Sequence, residues 1–259
     1  MITKGTGEKA GIDDYVFSGC TNLTSVTIMD GVTGIGKSAF SDCSGLTSIV
    51  LPKSVTSIGS YAFSGCTALK NVTISSGVTT IGKFAFWSCR SLTTVTIPDT
   101  VTAIGESAFF GCCRLVEVYN QSELGVTVGS TENGYVGYYA KVVYTEPYTT
   151  KLSTDENGYI LYTDGDTVCL IGYIGTETNL TLPGNITEIN QYAFKWCGNL
   201  TSVTMPDSVT AIGTSAFQGC DGLTHITYAG TMAQWNAIAK SDLGWRGTVI
   251  CSDGTVAVQ

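Results

Sequence analysis

A 23-residue period governs this chain. Phe falls at Phe17, Phe40, Phe63, Phe86 and Phe109, resumes at Phe194 and Phe217, and is followed three residues later by Cys20, Cys43, Cys66, Cys89, Cys112, Cys197 and Cys220. Leu comes three residues after each Cys, from Leu23 to Leu115 and again at Leu200 and Leu223. Ile precedes each Phe by five, from Ile12 to Ile104, then at Ile189 and Ile212. Seven copies that keep four positions without exception are not chance. A period of this length means stacked supersecondary units, not a globule with one central core.

Within a copy, stretches such as "LTTVTIP" and "VTAIG" alternate apolar residues with Thr or Ser, the period of half-buried strands. The Gly after Ile breaks the strand, and "SAFxxC" is too short for more than a turn of helix or 3-10 structure. Each copy therefore reads as one coil of a solenoid, with equivalent strands side by side in parallel, roughly 4.7 to 4.9 Å apart. One coil cannot hide its apolar face, so neighbours supply the rest of the core; Phe is expected to stack on Phe and Leu on Leu. Composition agrees: 43% hydrophobic residues, 31 Gly and only 13% charged residues favour strands and turns over surface helices.

Stretches such as "LTSVTIMDGVTGIGKSAFSDC" and "LTTVTIPDTVTAIGESAFFGC" closely resemble the leucine-rich repeats of the BspA type, over about 150 residues. The resemblance is specific because Ile-Gly-x-x-Ala-Phe-x-x-Cys is joined to Leu-x-x-Val-x-Ile-Pro. It implies an α/β-type leucine-rich repeat solenoid, β-rich, of stacked short parallel strands with short turn or 3-10 segments. It also implies a secreted or cell-surface protein, as in anaerobic bacteria and some protozoan parasites, that adheres to host proteins, extracellular matrix or other microbes. Two copies depart from the pattern: the first reads "GIDDYVF", and Asn190 replaces the Gly after Ile189.

Phe109 and Phe194 are 85 residues apart, not a multiple of 23, so a different segment interrupts the array. We expect a first block of five repeats at 1–119, its cap at 120–149, a β-hairpin segment at 150–185 opening a second block, two repeats at 186–228 and a C-terminal cap at 229–259. "NGYVGYYAKVVYT" and "NGYILYTDGDTVCLIGYIG" are aromatic and β-branched runs bounded by Asn-Gly and Asp-Gly, which predict hairpins. Each cap is expected to end on an exit strand, Lys141 to Thr145 or Thr248 to Ser252, and "AQWNAIAK" to be the one real helix. Caps keep a terminal coil from leaving its apolar face wet and its strand edges open.

Ten cysteines invite a disulfide or zinc reading. Cysteines one coil apart would point the same way, which strains a disulfide, and a row of thiols does not converge as a tetrahedral zinc site does. Buried free thiols beside the Phe column are expected; Cys112–Cys113, Cys169 and Cys251 fall outside that argument. Catalysis has no support: His225 is the single histidine and sits at an exposed strand position, and no G-x-S-x-G elbow occurs. Asp155, Asp164 and Asp166 lie near glycines but lack the ligand series of a calcium loop, so turns explain them. The repeat itself generates six N-x-S/T triplets, Asn22, Asn71 and Asn199 among them, which would matter only in a eukaryotic source. No enzyme activity, cofactor or metal is expected.

A net charge of −8, with no basic run, argues against nucleic acid and anionic bilayers. No stretch approaches a membrane span, so membrane insertion is not expected. The start "MITKGTGEKAG" is not a secretion signal, and the abrupt entry into the first repeat suggests a chain that starts within a longer protein.

Two surface features remain as candidate binding residues. One is a hydroxyl strip, Thr24, Thr27, Thr47, Thr73, Thr94 and Thr96, expected to project from the strands. The other is a set of rings near the Phe turn, Tyr15, Tyr61, Phe84, Trp87, Phe110, Tyr192 and Trp196, where sister copies carry small or polar residues. The expected function is a non-enzymatic adhesion module that binds host or microbial surface proteins through a solenoid face. Alternatives are carbohydrate binding on the exposed aromatics, a spacer within a larger surface protein, and ice binding by the threonines. A protein or glycan partner and an extracellular or cell-surface location follow from the resemblance, not from composition.

Overall fold

A computed structural model, which describes residues 10–259, divides the chain into two compact units, Met1–Thr149 and Thr150–Gln259. In the first unit the short strands line two faces of each coil. One parallel sheet runs Ala10–Ile12, Val32–Ile35, Ser57–Ile58, Thr80–Ile81, Ala103–Ile104 in chain order. Its register steps by one period, Ile58 opposite Ile81 and Ile81 opposite Ile104. The other face pairs Ser48–Val50 with Asn71–Thr73, and Thr94–Ile97 with Glu117–Asn120 and then Val142–Tyr144, all in parallel. Alternation decides what each strand buries: in Ser48–Val50 only Ile49 points inward.

The "SAFxxC" segment closes each coil with a turn, and the turns bond to each other as the strands do. Phe40 N donates to Ala62 O at 2.8 Å, Phe63 N to Ala85 O at 2.7 Å and Phe86 N to Ala108 O at 2.8 Å. A left-handed residue stands two before and two after the Phe, for example Tyr61 (φ 59°) and Gly65 (φ 72°), so the chain swings in and out around the inserted ring. The rings of Phe17, Phe40, Phe63, Phe86 and Phe109 form one column with centroids 5.1 to 5.3 Å apart and planes within 17°. Each thiol donates to the carbonyl of the preceding coil's Phe, Cys66 Sγ to Phe40 O and Cys89 Sγ to Phe63 O, both at 3.1 Å. Burial holds these thiols protonated, pushing Cys43 up to about 11 and Cys66 to about 12. Two thiols correct the expectation of a uniformly buried column: Cys20 is exposed and Cys197 half-buried. Both belong to the first copy of a block, where no complete repeat lies beneath.

The Gly after Ile is forced by the stacking. A Cβ on Gly59 would lie 2.7 Å from the Gly36 carbonyl carbon and 2.8 Å from Ile35 O, while Gly59 N is tied to that same Ile35 O at 2.8 Å. The two departures from the motif have the same cause. No coil precedes Asp13 among the described residues, and the neighbour of Asn190 is the strand Thr167–Tyr173, not a repeat turn. Asn190 N still bonds Leu170 O at 2.8 Å, and its side chain is buried.

The second unit opens with antiparallel strands Leu152–Thr154, Tyr159–Asp164 and Thr167–Tyr173. Asp164 faces Thr167 across a tight turn with Gly165 at φ 59°, and the Asp155 carboxylate accepts from Asn157 N and Tyr159 N, so these aspartates serve turns. Parallel stacking then resumes: Thr167–Tyr173 pairs Glu188–Ile189, followed by Ala211–Ile212 and Ala239–Lys240. On the other face Asn179–Thr181, Ser202–Met205, His225–Tyr228 and Gly247–Cys251 run in parallel. Phe194 and Phe217 continue the ring column at 5.2 Å.

Two local expectations are corrected. Asn133–Gly134 makes a 3-10 corner, Asn133–Tyr135, and not a hairpin; Phe109 N bonds Gly134 O at 2.7 Å, so this corner takes the place of the next repeat turn. The helix is Met232–Ala237, ending before "IAK", because Ile238 leaves helical geometry at ψ 129° and Ala239–Lys240 joins the sheet. The chain also closes with an unforeseen hairpin, Gly254–Val258 returning antiparallel on Gly247–Cys251.

Candidate functional site

The six threonines named from sequence do not form one strip. Thr24 and Thr47 share a column in which the hydroxyl donates to the preceding coil: Thr47 Oγ1 reaches Thr24 O at 3.2 Å, and in the second unit Thr201 Oγ1 reaches Thr178 O at 3.0 Å and Thr224 Oγ1 reaches Thr201 O at 3.1 Å. These hydroxyls fasten coil to coil. Thr27, Thr73 and Thr96 occupy a second column, outward from the strands, which Val50 interrupts with 61% of its surface exposed. Thr94 belongs to a third, aligned with Glu117. Thr94 and Thr96 are half-buried beside the end of the block, where Tyr144 and Tyr148 stack at 3.8 Å, Tyr119 meets Tyr148 edge-on at 5.6 Å, and Glu117 is fully buried. Burial, and then the nearby Glu117 carboxylate, raise the Tyr148 phenol above its ordinary value.

A second threonine ladder was not read from the sequence. On the opposite sheet Thr56, Thr79 and Thr102 donate Oγ1 to the carbonyls of Thr33, Thr56 and Thr79 at 3.0, 3.1 and 3.3 Å. The signal was present as Val-Thr at every 23rd position. These hydroxyls also have their donors occupied within the chain.

The rings are different in kind. Tyr15, Tyr61, Phe84 and Tyr192 occupy the left-handed position two before the core Phe, with φ of 56° to 62°, where Ser38, Ser107 and Ser215 serve sister coils. Aromatic side chains gain nothing from that backbone conformation and are sterically disfavoured in it. Trp87 and Phe110 follow the core Phe directly, where three sister coils carry Ser18, Ser41 and Ser64, and are 40% and 42% exposed. Tyr61 and Phe84 stack across adjacent coils at 4.8 Å, and Phe110 meets Tyr135 edge-on at 5.2 Å, itself against Tyr138 at 5.4 Å. The turns of the first unit thus carry a stack, Tyr61 on half-exposed Phe84, an edge-on cluster, Phe110, Tyr135 and Tyr138, and the exposed Trp87, together an aromatic ridge of separate ring groups. Trp196 lies in the second unit, two residues after its Phe and not one, with φ 65°. The sequence reading placed it with Trp87 and Phe110 and missed that offset.

No group of three or more potential metal ligands converges among the described residues. His225 is half-exposed on its strand, with Nδ1 3.0 Å from Thr224 Oγ1. The chemistry this surface offers is contact: flat rings, hydroxyls and few charges.

A family model described as the BspA type leucine-rich repeat region matches six copies, over residues 10–127 and 174–239. No curated protein matches the sequence. Among solved structures, a leucine-rich cell surface protein of Faecalibacterium prausnitzii is 23% identical, with 92% of this chain and 88% of that one covered and a TM-score of 0.35. A leucine-rich repeat protein of Bacteroides ovatus is 25% identical over 85% of this chain and 58% of its own, TM-score 0.41. The T. pallidum leucine-rich repeat protein is 24% identical, covering 83% and 72%, TM-score 0.36.

Proposed function

The chain belongs to the BspA-type leucine-rich repeat family, and from that premise we propose that it is a non-enzymatic binding module of a secreted or cell-surface protein. It docks onto a partner protein through the aromatic ridge of its first unit. The observation that carries this reading is the ridge itself: Trp87 and Phe110 stand exposed in adjacent coils where sister coils fold with Ser, so the fold does not require them. Large rigid rings give contact area at little entropy cost and are the usual anchors of protein interfaces. The threonine columns support the reading by contrast, since many of their hydroxyls are spent on the preceding coil.

The double variant Trp87→Ser, Phe110→Ser copies the sister coils. It should leave the melting temperature within a few degrees of the parent, as surface substitutions do. On an array of extracellular-matrix and microbial surface proteins, any saturable binding of the parent should fall at least tenfold. Undiminished binding by the double variant would remove the ridge from the interface. A large drop in melting temperature would make these rings part of the core.

A further inference from the structure

Trp196 stands at a position where its sister copies carry small residues. It occupies the position two after the core Phe, which the other copies fill with Gly19, Asp42, Gly65, Ser88, Gly111 and Gly219, and its φ of 65° is the left-handed conformation that suits those residues. A bulky ring here is a strained choice, and 54% of it is exposed, so burial does not compensate. The next coil accommodates it: a Cβ on Gly219 would run into the Trp196 ring, so the indole lies against bare backbone. Lys195 Nζ sits 4.5 Å from the Tyr192 ring centre and 5.9 Å from that of Trp196.

The ring walls a hollow of about 500 Å³ in the second unit, together with Tyr173, Glu177, Gly198 and Asn199. A second hollow of about 580 Å³ shares Tyr173 and Glu177 and adds Glu156 and Asn157. The turn between them is set: Glu177 N donates to the Tyr173 hydroxyl at 3.1 Å, and the Tyr173 ring lies over Gly175. We propose that these adjoining hollows are a binding site for a neutral oligosaccharide, with Trp196 as the stacking platform.

The lining selects that class. Neither hollow is lined by Lys or Arg, and two carboxylates, Glu156 and Glu177, stand at them against the one ammonium of Lys195, 5.9 Å from the Trp196 ring, a balance that disfavours phosphates, sulfates and acidic sugars. Exposed polar walls such as Thr176, Glu177 and Asn199 disfavour an acyl chain. A neutral pyranose satisfies both kinds of surface. Its C–H face covers the indole, and its hydroxyls donate to carboxylate and both donate to and accept from the amide. Gly198 adds no side chain that would hold the ring plane of a sugar away from the wall. Each hollow by itself is within the range of small-molecule sites, roughly 300 to 1,000 Å³. This site is separate from the ridge of the first unit and stands or falls without it.

The chain has four tryptophans, so uniform 5-fluorotryptophan labelling yields four fluorine resonances, with that of Trp196 assigned from its loss in Trp196→Gly. The whole protein is titrated with cellotriose, maltotriose and N-acetylglucosamine trimer. At least one of these should shift the Trp196 resonance saturably and leave the buried Trp235 unmoved. Trp196→Gly installs the sister residue, so it should melt at or above the parent temperature while losing at least tenfold in affinity. Glu177→Gln should weaken binding at least threefold. Failure of all three neutral oligosaccharides to move the Trp196 resonance would overturn the proposal. So would binding that survives Trp196→Gly, or a melting temperature that falls in that variant. A shift confined to Trp87 would place any sugar on the ridge instead and also refute this site.

Discussion

Phe63→Ala should destabilise the first unit by about 3–5 kcal/mol, the cost of truncating a fully buried aromatic ring. Phe63 has no exposed surface and lies between Phe40 and Phe86, each 5.3 Å away with planes within 6°. Removing it leaves both neighbours without a partner on one side, and the backbone cannot collapse to fill the gap. Phe63 N and Gly65 N are bonded to Ala85 O and Trp87 O in the next coil, and Cys89 Sγ is bonded to Phe63 O. Because each coil is stabilised by contact with the next, the damage should be local first: amide exchange should rise most over residues 40–86 and less toward the cap. Urea denaturation followed by circular dichroism measures the total. A midpoint equal to the parent's would mean that the ring column is not the core.

Trp235→Ala should have a comparable effect on the second unit, again about 3–5 kcal/mol. The helix Met232–Ala237 has six residues, far too few to hold itself together in water. Its start is secured by a capping box, Gln234 N to Thr231 Oγ1 at 3.2 Å and Thr231 N to Gln234 Oε1 at 2.8 Å. Its end is secured by Lys240 Nζ, which donates to Trp235 O at 2.5 Å and Ile238 O at 3.2 Å. Partial burial of the ammonium at the helix end lowers the Lys240 pKa from its ordinary value. Trp235 is the anchor: it is 1% exposed and meets Tyr228 edge-on at 5.6 Å, sealing the last coil. Without it the strand His225–Tyr228 loses its cover, and we expect a lower thermal midpoint together with increased light scattering on heating. A variant that melts with the parent would show that the helix caps nothing.

The parts of this molecule that were legible in the sequence are those dictated by the period. Phe40, Phe63, Phe86 and Phe109 had to lie in a column once coils stack, and the Gly after Ile had to mark a corner. What spacing could not reveal was the use made of each hydroxyl. Thr47 and Thr73 look alike in sequence, yet Thr47 is tied to the preceding carbonyl and Thr73 points outward, because they sit at different phases of the repeat, Thr47 just before the strand Ser48–Val50 and Thr73 within the strand Asn71–Thr73. Asn133–Gly134 misled for a related reason: a left-handed pair suits a 3-10 corner as well as a hairpin, and only the stacking on Ile104 and Ala108 decides between them. Trp196 was recognised as a surface ring, but its strain emerges only when the copies are aligned residue by residue and its position is seen to be one that Gly fills in four of them, at Gly19, Gly65, Gly111 and Gly219.

The account rests on interchangeable coils, and excision tests it. Deleting residues 47–69 removes one whole period of 23 and joins Leu46 to Lys70 in phase. Deleting residues 47–58 removes 12 and throws every later column out of phase. The two proteins are compared by circular dichroism and thermal melting. The whole-coil deletion should fold with the parent's β signature and melt cooperatively at a somewhat lower temperature, whereas the shorter deletion should leave the first unit unfolded. If the whole-coil deletion unfolds, or if the shorter deletion is tolerated equally well, the coils are not equivalent stacked units and the account is wrong.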